Sequence, residues 1–223
     1  MPSRTYGQYC GFARALEVVG ERWALLIVRD LTVGPRRFTD LRRGLPGIPT
    51  NVLAARLKEL EIDGVIQRSV LPRPSAGVVY ELTAYGAELE DVVFRLGVWG
   101  AKSLGQPRRG ETVTLDSLIV ALRSTFRPQA ARDLRVSYEL RLGEIVLHAR
   151  VDHGRLETGA GPIEAADVAI DTDLAIKALM AGEMSPAEAI ASGSVRLTGD
   201  PALLDRFAQM FQIPPLPTPR PPD

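Results

Sequence analysis

Between residues 36 and 73 the chain spaces cations and small polar side chains in a way that suits a polyanion. Arg36-Arg37 and Arg42-Arg43 bracket a short stretch in which Phe38 and Leu41 stand at helical spacing. A guanidinium group presents donors that meet phosphate oxygens two at a time, so these four arginines are expected to position the chain on a phosphate backbone rather than read bases. Thr50 and Asn51 open the run IPTNVLAARLKEL, residues 48–60, and an asparagine there can pair N6 and N7 of adenine together. Ala54 offers a methyl to thymine, and Lys58 a cation for a guanine edge or a phosphate. Arg73, in the turn-forming loop PRPSAG, is placed for a phosphate or for the minor groove.

These side chains need a rigid support, and the hydrophobic pattern supplies one. At about 100° per residue, Leu53, Leu57 and Leu60 form one narrow apolar stripe, the buried side of a helix. Asn51, Ala54, Ala55 and Lys58 fall on the opposite side, where small residues let the backbone come close to a groove. Arg56, at the edge of the stripe, is either part of that surface or a residue whose stem packs on the core.

Upstream, residues 6–20 place Phe12, Leu16 and Val19 at helical spacing, and 21–33 are apolar nearly all round. Gly34-Pro35 stops the second helix, a short helix follows around 38–43, and Gly44–Gly47 turns the chain into the helix at Pro49. The order predicts a helix-turn-helix. Residues 65–71 and 78–82 read as a hairpin, a wing beside that motif. A long helix over 84–104 then carries Leu89, Val92, Val93, Leu96, Val98 and Trp99, more apolar surface than one small core can cover.

Composition narrows the alternatives. The 223 residues are 45% hydrophobic and 24% charged, enough for two modest domains. No apolar run is long enough to cross a membrane and no signal peptide is evident, so a cytoplasmic protein that makes no use of a membrane is expected. The net charge of zero divides: residues 1–110 carry 16 Lys/Arg against 11 Asp/Glu, and residues 111–223 the reverse balance of 11 against 16. A basic N-terminal half suits a polyanion and an acidic C-terminal half does not. The single Cys10 excludes an intramolecular disulfide, and two histidines in different contexts make no metal site. No catalytic set, phosphate-cradling loop or cofactor motif is present, and an enzyme is not expected.

Residues 105–112 form a linker around GQPRRG, and the pattern changes beyond it. An amphipathic helix over 115–126 precedes strands at 134–142 and 145–151, a third strand around 155–157 and a fourth at 167–171. Helices at 173–182 and 186–191, a strand at 194–198 and a helix at 201–211 complete an α+β unit, 113–213. The tail from Pro214 is proline-rich.

Residues 9–100 resemble the HxlR-type winged helix-turn-helix transcription regulators. The resemblance rests on Cys10 ahead of ARALEVVGERW, on LLIVRDLTVGPRRFTDLRRGLPGI, and on NVLAARLKELEIDGVI and YELTAYG. It implies a mainly α winged domain over 1–104, a homodimer built from the first helix and the helix after the wing, and double-stranded DNA carrying an inverted-repeat operator as partner. It also includes redox-sensing members that use a cysteine at the place of Cys10, which here is either a thiol switch or a half-buried packing residue. From 113 to 211 the chain resembles the sterol-carrier-protein family, through GRLETG, DVAI, AIKALMAGEMSPAEAIASGSV and LTGDPALLDRF. That resemblance implies an apolar tunnel for a fatty acyl or other apolar small-molecule ligand. Its expected lining is Leu118, Leu122, Leu179, Met180, Met184, Leu203, Leu204, Phe207 and Phe211, unless these are simply core. A lipid carrier with a merely dimerising N-terminal half would leave the arginines and the small outer helix face unexplained.

Overall fold

A computed structural model describes residues 5–72 and 76–217. The chain divides into two compact units, residues 1–93 and 94–223. No helix among the described residues is long and apolar enough to cross a membrane.

In the first unit, α1 (Gly11–Val19), α2 (Ala24–Thr32), α3 (Phe38–Gly44) and α4 (Thr50–Ile62) precede β1 (Ile66–Leu71) and β2 (Gly77–Leu82). Ile27, Val28, Leu31, Leu41, Leu45, Leu53, Leu57, Leu60, Val65, Ile66 and Val79 close one apolar core. The second helix is less uniformly apolar than its sequence pattern suggested: Asp30 is fully buried, and the Arg29 guanidinium donates to its carboxylate at 2.6 and 2.8 Å. Strands β1 and β2 pair antiparallel from Ile66↔Leu82 to Leu71↔Gly77. Arg36 adds a short third rung, exchanging backbone hydrogen bonds with Tyr80 at 3.0 and 2.8 Å.

Two helices differ from the sequence expectation. The first starts at Gly11 rather than residue 6, because the preceding segment turns back: the Tyr6 N–H donates to the Glu17 carboxylate at 2.8 Å. Phe12 is therefore exposed, although Leu16 and Val19 turn inward. The helix expected over 84–104 is two, α5 (Ala84–Ala87) and α6 (Glu90–Ala101). Thr83 anchors the first turn, donating to the Gly64 carbonyl at 2.6 Å and accepting from the Gly86 N–H at 3.0 Å. Gly86 lies so close to the Val65 carbonyl that a Cβ has no room. Backbone bonds then tighten to i→i+3 at Glu88 and Leu89 before the chain restarts with Glu90 and Asp91, acidic residues suited to a helix N-terminus.

The second unit contains α7 (Leu115–Thr125), β3 (Arg135–Leu142), β4 (Ile145–Asp152), β5 (Arg155–Ala160) and β6 (Val168–Thr172). It continues through α8 (Ala175–Met180), α9 (Pro186–Ala191), β7 (Val195–Gly199) and α10 (Ala202–Met210). A 3-10 turn at Pro128–Ala131, not foreseen, follows α7. The sheet runs β5-β4-β3-β6-β7, all pairs antiparallel except β3 with β6. Alternate residues Val136, Tyr138, Leu140 and Leu142 share a core with Leu147, Ala149, Val168 and Ile170 and with buried residues of the helices. Tyr138 sits at its centre, edge-on to Phe207 at 5.4 Å, its hydroxyl donating to the Leu203 carbonyl at 2.9 Å.

Candidate nucleic-acid interface

Helix α4 buries Leu53, Leu57 and Leu60, none more than 2% exposed. Thr50, Asn51, Ala54, Ala55 and Lys58 are exposed, as the helical period requires of the other side. Pro49 precedes the helix in an extended conformation, and its carbonyl accepts the Leu53 N–H at 3.0 Å, so the first turn carrying Thr50 and Asn51 is closed.

The four arginines divide into two pairs. Arg42 and Arg43 are exposed at the end of α3; the Arg43 guanidinium approaches the Asp40 carboxylate at 4.0 Å, a pairing of small worth in water. Arg36 and Arg37 are half-buried and engaged with the wing. Arg36 belongs to the third rung beside Tyr80, and its guanidinium donates to the Pro35 carbonyl at 3.0 Å. The Arg37 guanidinium donates to the Ala76 carbonyl at 3.3 Å and lies against Gly77, while its backbone N–H donates to the Asp40 carboxylate at 3.1 Å. Arg37 thus ties the start of α3 to the base of the hairpin loop. Arg73, in that loop, lies outside the described residues.

Arg56 settles on the packing alternative: its side chain is 16% exposed and pairs with Glu21 at 3.2 Å and with Glu59. Two residues escaped the sequence reading. An open cleft of about 420 Å³ runs beside α4, bordered by Phe38, Ala54, Leu57, Lys58, Glu61, Ile62, Arg68 and Tyr80. Across it the Arg68 Nε donates to the Glu61 carboxylate at 2.9 Å. The alternation of β1 places Arg68 on one face of the hairpin, but only the cross-strand register, Arg68 opposite Tyr80, brings it to this cleft.

Cys10 is exposed at the N-terminus of α1. The backbone N–H groups of Ala13 and Phe12, at the start of the helix, draw its thiol below the ordinary cysteine range. Large apolar side chains are exposed on both sides of it, at Tyr6, Tyr9 and Phe12, and again on α6 at Val92, Leu96 and Trp99.

In the second unit the expected lining residues separate. Leu122, Leu204, Phe207 and Phe211 are core: Phe207 and Phe211 are fully buried and in ring contact at 4.6 Å. Leu118 and Leu203 are half-buried. Leu179, Met180 and Met184 border an open cleft of about 570 Å³, which Ile213, Pro214 and Pro215 also line, together with the carboxylates of Glu183, Glu188 and Asp205. Of the nine residues expected either to line a tunnel or to be simply core, Leu179, Met180 and Met184 border this cleft.

Residues 18–108 match the profile of the HxlR-like helix-turn-helix family, and residues 122–212 that of the SCP-2 sterol transfer family. The uncharacterized HTH-type transcriptional regulator YtcD of Bacillus subtilis is 41% identical over 91 residues, 41% of this chain and 72% of that protein. The HTH-type transcriptional regulator YodB of the same organism is 38% identical over 99 residues, 44% of this chain and 86% of YodB. The solved reduced form of YodB aligns at 35% identity over 43% of this chain and 94% of that one, with a TM-score of 0.38.

Proposed function

The chain belongs to the HxlR-like helix-turn-helix family, and we propose that it is a dimeric, sequence-specific DNA-binding transcription regulator with a small-molecule site in its C-terminal half. The observation that carries the reading is the exposed row Thr50, Asn51, Ala54 and Lys58 on a helix whose leucines are buried, with Arg42 and Arg43 exposed at the end of α3. In this reading α4 enters the major groove, Thr50 and Asn51 meet base edges, Ala54 allows close approach, and Arg42 and Arg43 hold phosphates. Arg73 extends the contact to the neighbouring backbone or minor groove. Arg36 fixes the wing through its backbone rung with Tyr80, and Arg37 through its guanidinium bond to the Ala76 carbonyl.

The dimer is built from residues 6–19 and α6. The support is their exposed apolar side chains: Tyr6, Tyr9 and Phe12 on one segment, Val92, Leu96 and Trp99 on the other. A two-fold dimer matches an inverted repeat, its two α4 helices one turn of DNA apart. Residues 1–104 form the DNA-binding and dimerising domain, 105–112 the linker, 113–213 the effector domain and 214–223 a tail. An apolar effector entering beside Leu179, Met180 and Met184 shifts operator affinity by favouring one arrangement of the heads. Footprinting on DNA immediately upstream of the gene tests the proposal. Two protected half-sites one helical turn apart are expected, and protection without sequence preference would refute it. Equilibrium binding of a fluorescent fatty acyl probe, read with and without operator, tests the effector; a probe that binds without altering operator affinity refutes its regulatory role.

A second regulatory reading has its own observation. The exposed Cys10 thiol, drawn toward thiolate by the Phe12 and Ala13 N–H groups, lies in the segment assigned to the dimer. Oxidation there changes the interface that sets head spacing. With one cysteine per chain, the product is a disulfide between subunits or with a small thiol. Diamide treatment of the wild type and of Cys10→Ser separates the readings, since a thiol switch releases DNA only in the wild type.

A further inference from the structure

Resting on the DNA-binding reading, we infer that the cleft between α4 and the wing seats the DNA phosphate backbone, and that Glu61 holds Arg68 there as a competitor the phosphate must displace. The cleft is continuous with the base-reading face, since Ala54 and Lys58 belong to both. Once α4 lies in a major groove, the strand that walls the groove passes along the flank of the helix on its wing side. That flank is this cleft, with the Lys58 ammonium on one wall and the Arg68 guanidinium on the other.

Glu61 gives the site a second property. Its carboxylate accepts from Arg68 Nε at 2.9 Å, and both side chains are reachable by solvent, 34% exposed for Glu61 and 57% for Arg68. The pair is therefore neither buried nor locked, and a phosphate brought alongside exchanges for the carboxylate at little cost. A bare carboxylate facing phosphate also opposes binding by like-charge repulsion. Glu61 accordingly lowers affinity for every DNA sequence alike, which enlarges the relative weight of the base contacts made by Asn51. Lys58 becomes a backbone contact rather than a reader of guanine. Tyr80 and Phe38 also line the cleft, Tyr80 fixed through its backbone bonds to Arg36.

The test is fluorescence anisotropy of the full chain on a mixed-sequence duplex and on the fragment immediately upstream of its gene, over a series of salt concentrations. Arg68→Gln is expected to reduce the slope of log K against log salt by about 0.9 per protomer on both duplexes. Glu61→Gln is expected to tighten binding to both by about two- to five-fold, the worth of one exposed ion pair, and to tighten it by less in an Arg68→Gln background, where only the like-charge repulsion is left to relieve. If the pair only braces β1 against α4, Glu61→Gln weakens binding or leaves it unchanged, and the inference falls. Wild-type binding with an unmoved slope in Arg68→Gln overturns it while leaving the DNA reading intact; absence of wild-type binding to either duplex defeats both. Circular dichroism of each variant excludes an unfolded wing as the cause.

Discussion

The division of the arginines makes a sharp prediction for Arg42 and Arg43. Both are exposed, and the approach of Arg43 to Asp40 is long enough to yield to a phosphate. Replacing both by alanine removes two phosphate contacts per protomer, so the slope of log K against log salt should fall by about 1.8 for one bound protomer and by about 3.6 for a dimer on both half-sites. Across a fourfold rise in salt, that corresponds to a difference in salt sensitivity of roughly 12-fold per protomer and roughly 150-fold per dimer. The variant should lose most at low salt and converge on the wild type at high salt. Its ranking of operator variants should not change, because phosphates carry no sequence information. Asn51→Ala is the complement: an unchanged slope, with discrimination at one base pair per half-site reduced by about 1–3 kcal/mol. Titrations of the purified protein on operator and point-substituted operators decide the matter. An unchanged slope in Arg42→Ala/Arg43→Ala would refute the phosphate assignment, and an unchanged base ranking in Asn51→Ala the readout assignment.

Trp99→Glu, at a position 70% exposed in the single chain, should leave the protomer folded and convert the dimer to monomer in sedimentation equilibrium, with loss of operator binding. A dimer of unchanged strength would remove α6 from the interface. Phe207→Ala opens a cavity between Tyr138 and Phe211 and should cost about 3–5 kcal/mol in urea unfolding of the C-terminal unit. A small cost with lost acyl-probe binding would restore Phe207 to the ligand site. The Cys10 thiol, lowered by the Ala13 and Phe12 N–H groups, should be alkylated by iodoacetamide with a pH midpoint below that of an ordinary cysteine. The thiolate forms as pH rises through the lowered pKa, so the fold advantage over free cysteine is fully present below that value and shrinks as pH rises past it and ordinary thiols ionise. A midpoint at the ordinary value would weigh against the switch.

The hydrophobic period of the sequence determined most of the fold. Leu53, Leu57 and Leu60 lie one turn apart, so their burial and the exposure of Asn51, Ala54 and Lys58 follow from helix geometry alone. Turn residues likewise marked the strand pairs, because Gly143-Glu144 and the Pro72–Gly77 loop interrupt alternating runs. Tertiary packing decided what periodicity cannot express. The helix after the wing breaks at residues 88–89 because Thr83 and Gly86 are held against the carbonyls of Gly64 and Val65, partners some twenty positions upstream. Arg36 and Arg37 belong to the wing because the strand register carries Tyr80 and Ala76 to them. Phe207 and Phe211 look the same in sequence whether they line a tunnel or fill a core; the structure buries both, packs them against each other and sets Tyr138 edge-on to Phe207. Pairing across the chain also brings Arg68 to Glu61 and gives the cleft beside α4 its charge. A local pattern fixes which side of an element faces inward, whereas the partner of an outward side chain depends on which distant segment the fold lays next to it.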